Sequence, residues 1–390
     1  MSTVKLNEKS TLLTPGNVIT AIILLVGLYV TVMRFTQGIG SVTNLDDNNP
    51  WGLWIGFDLL CGVVLAAGGY TTTSAYYLFG LKHFKPFVRA ALTSAFLGYA
   101  FVVVALHYDV GQPWRLVYPI FWSQGTTSVL FEVGLCVFIY LTVLAIEFCP
   151  IACEWLNFKT IRKIIFKFTI PLTVLGVILS TMHQSSLGAL YLIAPTKMHP
   201  LWYSSFIPVF FFVSSMFAGM SMVIFEGTLA HAGLHKYMDE AHLANADKVV
   251  AGFGKAASFV LMGYFFIKVA GLAMDNTWHY LATGYGFLYL VELVGLVLVP
   301  AFLFAIGVRE KKYGLVRLAA ALTIAGVILN RINVSLVAFN YNLPSADRYF
   351  PSWEEFGLSI FVVTLIVTAY RFICTKMPVL YEHPDYPDAH

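Results

Sequence analysis

The segment SVLFEVGLCVFIYLTVLAIEF, residues 128–148, decides the fold of this chain. It is an apolar run of the length that crosses a bilayer as one helix. Glu132 lies inside it, and a carboxyl at that depth costs at least a few kcal/mol unless it faces a bundle interior or a water-filled cavity. Glu147 follows about 22 Å further along the helix, on roughly the same face. We therefore expect a transmembrane helix that carries two functional carboxyls on one side.

The composition of the whole chain is that of a polytopic helical membrane protein. Its 390 residues are 58% hydrophobic and only 12% charged, and apolar runs of about 20 residues recur along it. The polar first segment has no cleavage site, so the first run should remain as a helix. We predict an all-α fold with ten transmembrane helices, at residues 17–36, 52–79, 87–107, 126–149, 164–183, 201–228, 249–273, 283–306, 315–335 and 355–375.

The connections between the spans predict the orientation of the chain. Most of the 24 Lys and Arg residues, among them Lys5 and Lys9, fall on the side of the N-terminus when the connections alternate. The positive-inside rule then places both termini in the cytoplasm. The outer loops carry little charge and many aromatic residues, which fits either an aromatic belt at the head groups or a docking surface for an extracytoplasmic partner, with Trp114 and Arg115 as candidate contacts.

A weak internal repeat relates spans two to five and spans six to nine. FEVGL at Glu132 in the fourth span corresponds to VELVGL at Glu292 in the eighth, and TMHQSSLGAL corresponds to RINVSLVAF in the spans that follow. This order predicts two four-helix bundles, related by an axis along the membrane normal, plus two flanking helices. The chain would then divide into residues 1–51 (tail, first helix and outer loop), 52–200 (first bundle), 201–340 (second bundle) and 341–390 (tenth helix and cytoplasmic tail).

The first bundle is predicted to carry its polar side chains in one layer near the outer surface. Each of its four helices delivers an acid, an imidazole or an amide to that layer, and the contribution of the fourth is Glu132. The other three helices, together with one tryptophan, provide a candidate quinone-binding site: Trp54, Asp58, His107, Asp109, His183 and Gln184. Quinone chemistry moves protons together with electrons, so it needs such groups within hydrogen-bond reach of the ring. Taken singly, His107 and His183 also fit interfacial histidines that are satisfied by carbonyl groups.

Haem b is the alternative for two histidines on facing helices. Axial ligation needs both imidazoles aimed at one iron within a buried site. His107 and His183 are both predicted at helix ends, which disfavours haem, and the five cysteines form no disulfide framework or cluster motif. We expect no metal site, haem or iron–sulfur cluster in this chain.

The remaining membrane charges allow two interpretations each. Glu226, Lys268, Glu292 and Arg331 lie in the second bundle, where the two cations either neutralise Glu292 in a structural ion pair or mark a second path for protons or quinone. Glu147, with Tyr140 and Thr142 between it and Glu132, either passes protons toward the cytoplasm or is solvated at the helix end beside Lys163 and Lys167.

Several strings together resemble the NrfD/PsrC family of quinone-interacting integral membrane subunits, and in particular its members that anchor nickel–iron hydrogenases. They are PWGLWIGFDLL (50–60), DVGQPWR (109–115), VLFE (129–132), TMHQSSLG (181–188), HPLW (199–202), IFEG (224–227), SLVAFN (335–340) and FPSWEE (350–355). The resemblance implies menaquinone or ubiquinone as substrate near the outer surface of the first bundle. It also implies that Glu132 matches the family's acid in the fourth helix, which is linked to proton movement.

The sequence therefore predicts a membrane anchor that passes electrons from an extracytoplasmic subunit to quinone, with protons moving through Glu132 and Glu147. The partners implied by the resemblance are a ferredoxin-like iron–sulfur subunit and the small and large subunits of a nickel–iron hydrogenase, in the bacterial inner membrane with its lipid and without nucleic acid. Two alternatives stay open. One is the same role in another oxidoreductase complex of the family, and the other is a secondary transporter, because parallel repeats with buried charges also fit transport.

Overall fold

The structure, a computed structural model, describes residues 14–386 of the chain. Residues 1–13, with most of the predicted tail and with Lys5 and Lys9, and residues 387–390 lie outside the described residues. The described part is helical and contains ten helices long and apolar enough to cross a membrane. The predicted fold class, all-α with ten spans, is confirmed.

The spans are labelled α1 to α10 in chain order. They are α1 (Pro15–Gln37), α2 (Trp54–Leu78), α3 (Lys82–Asp109), α4 (Val129–Trp155), α5 (Thr169–Leu192), α6 (Ile207–Tyr237), α7 (Glu240–Met274), α8 (Gly284–Arg309), α9 (Tyr313–Val337) and α10 (Trp353–Lys376). We call the side where α1 begins and α10 ends the terminal side. The opposite side, with the loops 38–53, 110–128, 193–206, 275–283 and 338–352, is the far side.

The prediction for the fifth span was wrong by five to nine residues. Its first residues belong to a separate short helix, Lys159–Phe166, whose charged face keeps it outside the span. The span itself continues to Leu192, so His183 lies about 13 Å before its end at about 1.5 Å per residue. The polar string MHQSS, which was interpreted as a helix end, is thus in the body of a transmembrane helix.

The helices pack in the order that the internal repeat suggests. Helices α2, α3, α4 and α5 contact one another in sequence, as do α6, α7, α8 and α9, and α6 joins the two sets through α2, α5 and α9. Helix α1 packs against α10, and α10 packs against α3. The division into two bundles and the domain boundaries drawn from it stay an interpretation.

Close approach of α6 to its neighbours depends on glycine. A Cβ atom on Gly219 would lie 2.6 Å from the carbonyl carbon of Ala67 in α2, and one on Gly188 of α5 would lie 2.7 Å from the carbonyl oxygen of Ile207. Small residues let membrane helices touch backbone to backbone, where dispersion replaces the hydrophobic effect as the source of packing energy. Helix α6 is held between the two sets of helices in this way.

Three spans contain π-helical turns at their polar residues. These turns are Trp54–Leu59 in α2, Val291–Leu298 in α8 and Asn333–Val337 at the end of α9, and a further π-helical turn, Ser74–Leu78, ends α2. Each such turn rotates the following residues and is often found at functional sites. VELVGL in α8 has one residue more than the matching string FEVGL in α4. This extra residue lies within the π-helical turn of α8, which accommodates it without interrupting the helix.

The terminal side is closed by a buried ion-pair cluster. Arg89 of α3 binds both carboxylate oxygens of Glu154 at 2.8 Å, and Arg162 donates to Glu154 at 2.7 Å. Arg89 also donates to the carbonyl of Pro378 at 2.7 Å, and the hydroxyl of Tyr386 donates to Asn157 at 2.8 Å. The segment 377–386 is therefore strapped back across the ends of α3 and α4.

We predict that Glu154→Gln destabilises the protein strongly. Glu154 is 2% exposed, and removing its charge leaves two arginines without their counter-ion, which costs about 3–5 kcal/mol for a buried pair. Thermal unfolding of the purified chain in detergent measures this. Glu382→Gln is the control, because the side chains of the Lys85–Glu382 pair are 32% and 47% exposed and surface pairs contribute about 0–1 kcal/mol. Equal unfolding midpoints for the two variants would contradict the prediction.

On the far side, His199 is enclosed by aromatic rings. It is 3% exposed, and its ring lies within 5.6 Å, centroid to centroid, of Trp202, Tyr280, Tyr285 and Tyr341. Its Nδ1 atom accepts a hydrogen bond from the backbone N–H of Leu201 at 3.2 Å. Burial lowers the pKa of His199 to about 4, so the imidazole is neutral in the folded protein.

We therefore predict that acid destabilises the far-side loops around His199, because this histidine is buried in its neutral form. The unfolded chain binds a proton below the ordinary pKa of 6.5 whereas the folded chain binds it only near about 4, so stability is complete above 6.5 and falls between these two values. His199→Asn keeps the acceptor for Leu201 and should reduce the loss in unfolding midpoint between about pH 7.5 and about pH 5. The exposed His279 provides the control, and His279→Asn should behave as wild type.

Candidate functional site

The predicted outer layer is not one site, and its first part faces α10. Asp58 is 6% exposed, and its Oδ2 atom accepts a hydrogen bond from the hydroxyl of Ser359 in α10 at 2.7 Å. Trp54 is 2% exposed and donates from Nε1 to the carbonyl of Glu355 at 3.3 Å. Both residues therefore turn away from the interior of the first four-helix set, which corrects the prediction of a shared pocket with His183.

Asp109 ends α3 beside the same group of residues. Its Oδ1 atom is buried without a hydrogen-bond partner, and it is close enough to Asp58 and Arg34 for electrostatic interaction. Arg34 of α1 is 3% exposed and donates to the carbonyls of Tyr108 and Val110 at 2.6 and 2.7 Å. It thus caps the carbonyl end of α3, where a cation is favourable.

The sequence interpretation missed three members of this group, namely Arg34, Glu355 and Ser359. Glu355 is 1% exposed and accepts from the backbone N–H groups of Asn44 and Ser352 and from the hydroxyl of Tyr349. The spacing Ser-x-x-Glu in FPSWEE is the signal of a capping box, and the structure forms that box. We call Arg34, Asp58, Asp109, Glu355 and Ser359 the far-side cluster.

His183 and Gln184 occupy a separate, fully buried position inside the first four-helix set. The Nδ1 atom of His183 lies 2.9 Å from the carbonyl of Leu179, and Nε2 lies 2.5 Å from the hydroxyl of Tyr99. Because a carbonyl only accepts, Nδ1 carries the proton and Nε2 accepts from the tyrosine. Gln184 donates to the carbonyl of Val63 at 2.9 Å. These contacts join α2, α3 and α5 in the middle of the membrane.

The geometry of the two histidines changes the reason for disfavouring haem. Both were predicted at helix ends, which is wrong for His183. However, both ring nitrogens of His183 already have protein partners, and His107 bonds from Nδ1 to the carbonyl of Val103 in its own helix at 2.7 Å. The donor set does not fit His183 as an axial ligand, and the described residues include no group of three or more candidate metal ligands.

Glu132 lies on the exterior of α4 rather than in a bundle interior. Its side chain is exposed in the isolated chain, and the hydroxyl of Ser186 in α5 donates to its Oε1 atom at 2.6 Å. The prediction of a buried carboxyl at this position is therefore wrong. Glu132 lies in the first turn of α4, and the hydrogen bond from Ser186 turns its carboxylate toward α5.

Glu147 lies on the same side of α4 as Glu132, as the spacing predicts. It is half-buried, and its Oε1 atom accepts from Thr173 of α5 at 3.0 Å. Tyr140 is buried between the two acids against Tyr99 and His183. The side chain of Thr142 is exposed and donates to its own helix, so its predicted place between the acids is wrong.

Glu292 is the centre of a dense network in the second four-helix set. It is 3% exposed and accepts from Trp202, Asn330 and Asn333 at 3.0, 2.7 and 2.9 Å. Lys268 lies 3.8 Å away, with its ammonium 4.6 Å from the ring centroid of Phe210, a favourable cation–π distance. The predicted pairing of Lys268 with Glu292 is present.

Arg331 reaches Glu292 only through an intermediate amide. It donates to Asn330 at 2.7 Å and to the hydroxyl of Ser214 at 2.6 Å, and its guanidinium lies 3.8 Å from the ring centroid of Phe211. Asn330, Asn333 and Trp202 were not predicted, although the asparagines are part of the motif NRIN. Two cations and one carboxylate are therefore buried together here.

Glu226 does not belong to this network. Its Oε2 atom accepts from Ser94 of α3 at 2.7 Å, and it lies well inside α6, which continues to Tyr237. The predicted span ended at residue 228, close to Glu226, and that boundary is therefore nine residues too early. Glu226 lies at the junction of α3 and α6.

The loop after α3 presents the residues predicted for docking. Trp114 is 70% exposed and Trp122 is 72% exposed, and Arg115 is exposed above the ring of Tyr118. Large exposed aromatic side chains beside a membrane fit both a head-group belt and a protein interface. Their role as a docking surface stays a prediction.

Several known membrane proteins are similar to this chain over nearly its whole length. Residues 41–340 match the family described as polysulphide reductase, NrfD. A protein of Nitratidesulfovibrio vulgaris, described without an activity, is 66% identical over 98% of this chain and 99% of its own length. The probable Ni/Fe-hydrogenase 2 b-type cytochrome subunit of Escherichia coli is 32% identical over 92% of this chain and 90% of the relative. The menaquinone reductase integral membrane subunit of N. vulgaris is 29% identical over 89% and 88%.

We predict that Glu292→Gln destabilises the protein by about 3–5 kcal/mol, because Lys268 and Arg331 would remain as buried charges without a carboxylate. The double variant Glu292→Gln/Lys268→Met removes one of these cations and should recover part of the loss. Thermal unfolding of the single and double variants measures the coupling. A double variant as unstable as the sum of its single changes would show that the two side chains do not interact.

Proposed function

The chain belongs to the NrfD family and is a multi-pass integral membrane protein, and on that premise we propose that it is the quinone-reactive anchor of a respiratory oxidoreductase complex. Electrons arrive from an iron–sulfur subunit at the far side and reduce a quinone held in the membrane. The chain supplies the binding site and the proton-carrying side chains. Its part in the reaction is to position the quinone ring and to deliver protons to its two oxygens.

The observation that carries this proposal is the position of Asp58. It is a carboxyl buried one turn inside the far end of α2, bonded to one serine, on the wall of an apolar cavity. A quinone dissolved in the bilayer needs an apolar route into the protein and a proton-donating group at the end of that route. The cavity provides the route, and Asp58 provides the group. The adjacent Asp109 has an oxygen without a partner, so a second acid is available behind it.

The related proteins support the same class of activity. One relative is described as the integral membrane part of a menaquinone reductase and another as part of nickel–iron hydrogenase 2. A third, which belongs to the selenate reductase of Mesobacillus selenatarsenatis, is 19% identical over 94% of this chain. We propose menaquinone as the substrate and a nickel–iron hydrogenase with a ferredoxin-like subunit as the leading partner. The same role with another catalytic partner is the runner-up.

The proposed orientation puts the terminal side in the cytoplasm of a bacterial inner membrane. Lys and Arg residues are concentrated in the connections on that side, in agreement with the positive-inside rule. The exposed loop with Trp114 and Arg115 then faces outward, where an extracytoplasmic electron donor docks. A secondary transporter would not need such a partner, so retention of iron–sulfur protein on purification separates the two functions.

Glu132 and Glu147 are the proposed proton carriers. Each acid is hydrogen-bonded to a hydroxyl of α5, through Ser186 and Thr173, and both lie on one side of α4. Carboxyls at membrane depth are the usual residues of proton relays. Glu132 is accessible from the far half of the α4–α5 groove, and Glu147 lies toward the terminal side.

We predict that Glu132→Gln impairs hydrogen-dependent menaquinone reduction by the purified complex in proteoliposomes, or its coupling to a pH gradient, by about 10-fold or more, in line with loss of a general acid. The amide keeps the size of the side chain and its contact with Ser186 but carries no exchangeable acid proton. The rate of quinone reduction and the internal pH are recorded together.

The control for this experiment is Glu310→Gln, which changes an exposed acid in the terminal-side loop after α8. If reduction and coupling are unchanged in Glu132→Gln, the proton role of Glu132 is refuted while quinone reduction by the complex stands. If the wild-type chain purifies without a redox partner and the preparation reduces no quinone, the proposed function itself is wrong.

A further inference from the structure

A cavity of about 550 Å³ lies between α2, α3, α6 and α10, outside the predicted first-bundle pocket. We propose that this cavity holds the isoprenoid quinone, with its ring at Asp58 and its tail leaving into the lipid between α6 and α10. The inference rests on the proposed function and adds to it the place and direction of binding. The volume is in the range of pockets that bury small ligands, about 300–1,000 Å³.

The far-side end of the cavity is closed and carries the acid. Phe57, Val102 and Val362 line it around Asp58, and Val102 and Val362 are 3% and 4% exposed. Asp58 uses one oxygen for Ser359, which leaves capacity for a further hydrogen bond in a site with few other polar atoms. A quinone carbonyl accepts from the protonated acid, and a quinol hydroxyl donates to the carboxylate.

The middle of the cavity is flat because its wall is made of small residues. Gly62 and Ala66 of α2 face Gly98 of α3 along this wall. A Cβ atom on Gly62 would lie 2.5 Å from Val102, and one on Gly98 would lie 2.9 Å from Ala66. These helices are thus in contact without side chains that would project into the cavity, which leaves a channel for an unbranched or methyl-branched chain.

The other end of the cavity opens toward the lipid. Val363 and Val367 of α10 are 42% and 60% exposed, and Leu229 of α6 is 57% exposed, although all three line the cavity. Glu226 lies near this opening but is already bonded to Ser94. A tail that passes here meets apolar side chains on both walls and enters the bilayer without crossing a helix.

A phospholipid chain is the competing occupant, because Arg371 lines the terminal end of the cavity and could bind a phosphate. An acyl chain, however, would bring only hydrocarbon to Asp58 at the closed end, and a buried carboxyl gains nothing from it. The polar ring of a quinone complements the acid, and its tail complements the apolar walls. We therefore commit to the quinone.

The test compares menaquinone-4 with menadione, which has a similar ring but no tail, by quenching of tryptophan fluorescence in the detergent-purified full chain. Wild type should bind menaquinone-4 more tightly than menadione. Val363→Phe narrows the lipid-side opening of the cavity, where the tail leaves, so it should weaken the affinity for menaquinone-4 about tenfold and leave the affinity for menadione unchanged. Asp58→Leu should lower the affinity for both ligands by a similar factor, because it removes the group that hydrogen-bonds to the ring.

Ile360→Phe is the matched control, since Ile360 is 52% exposed on the same helix and does not line the cavity. Gly233→Leu and Gly263→Leu form a second pair. Gly233 lines the cavity, Gly263 is an exposed residue of α7, and a Cβ atom on either meets nothing within 4 Å. Gly233→Leu should lower the affinity for menaquinone-4, and Gly263→Leu should leave that affinity unchanged.

The outcomes distinguish failure of the cavity assignment from failure of the proposed function. If wild type binds menaquinone-4 and neither Val363→Phe nor Gly233→Leu changes the affinity, the cavity assignment is overturned and quinone reactivity stands. If Val363→Phe loses a co-purified phospholipid while its menaquinone-4 affinity is unchanged, the cavity is a lipid site and the inference fails. If wild type binds no quinone and its complex reduces none, the proposed function falls with it.

Discussion

The hydrocarbon of a bilayer offers no hydrogen-bond partner to a carboxyl, a guanidinium or an amide, and this constraint determines where the polar side chains of this chain point. Most of the buried ionisable and amide residues of the spans discussed above are paired with another helix or with their own backbone. Asp58 is held by α10, His183 by α3, Glu132 and Glu147 by α5, and Glu292 by two asparagines of α9. The hydrogen bonds between helices therefore supply the directional contacts that apolar packing lacks.

The two four-helix sets use that constraint differently. The second set buries permanent charges, because Lys268 and Arg331 surround Glu292 among aromatic rings. Such a network resists change, since moving any member leaves another charge without its partner. The first set and its border with α10 hold titratable groups bonded mostly to hydroxyls, which remain bonded in either protonation state. Proton chemistry suits the first set, and mechanical support suits the second.

Sequence alone predicted the spans well because their signal is the total length of apolar residues. It did not predict the direction of the side chains, because a helix surrounded by apolar neighbours and lipid has no polar face to indicate its orientation. Asp58 was expected to face His183 and faces Ser359 instead, a contact made across 301 residues of sequence. His183 was misplaced for another reason, since Gln and Ser next to it resemble a helix end until their partners in α2 and α4 are known. Glu292 was predicted best, because its counter-ion Lys268 is itself a rare residue in a span.

The strap formed by residues 377–386 has a consequence for biosynthesis. Helix α10 and this strap are the last described parts of the chain to leave the ribosome, yet they bind α1, α2 and α3, which enter the membrane first. Until then Asp58 lacks Ser359, and Arg89 lacks one of its acceptors. The early helices therefore stay incompletely paired until the last described span and the strap are in place. Association of α10 with α1, α2 and α3 is thus a late step of assembly, and it supplies partners to residues in the first part of the chain.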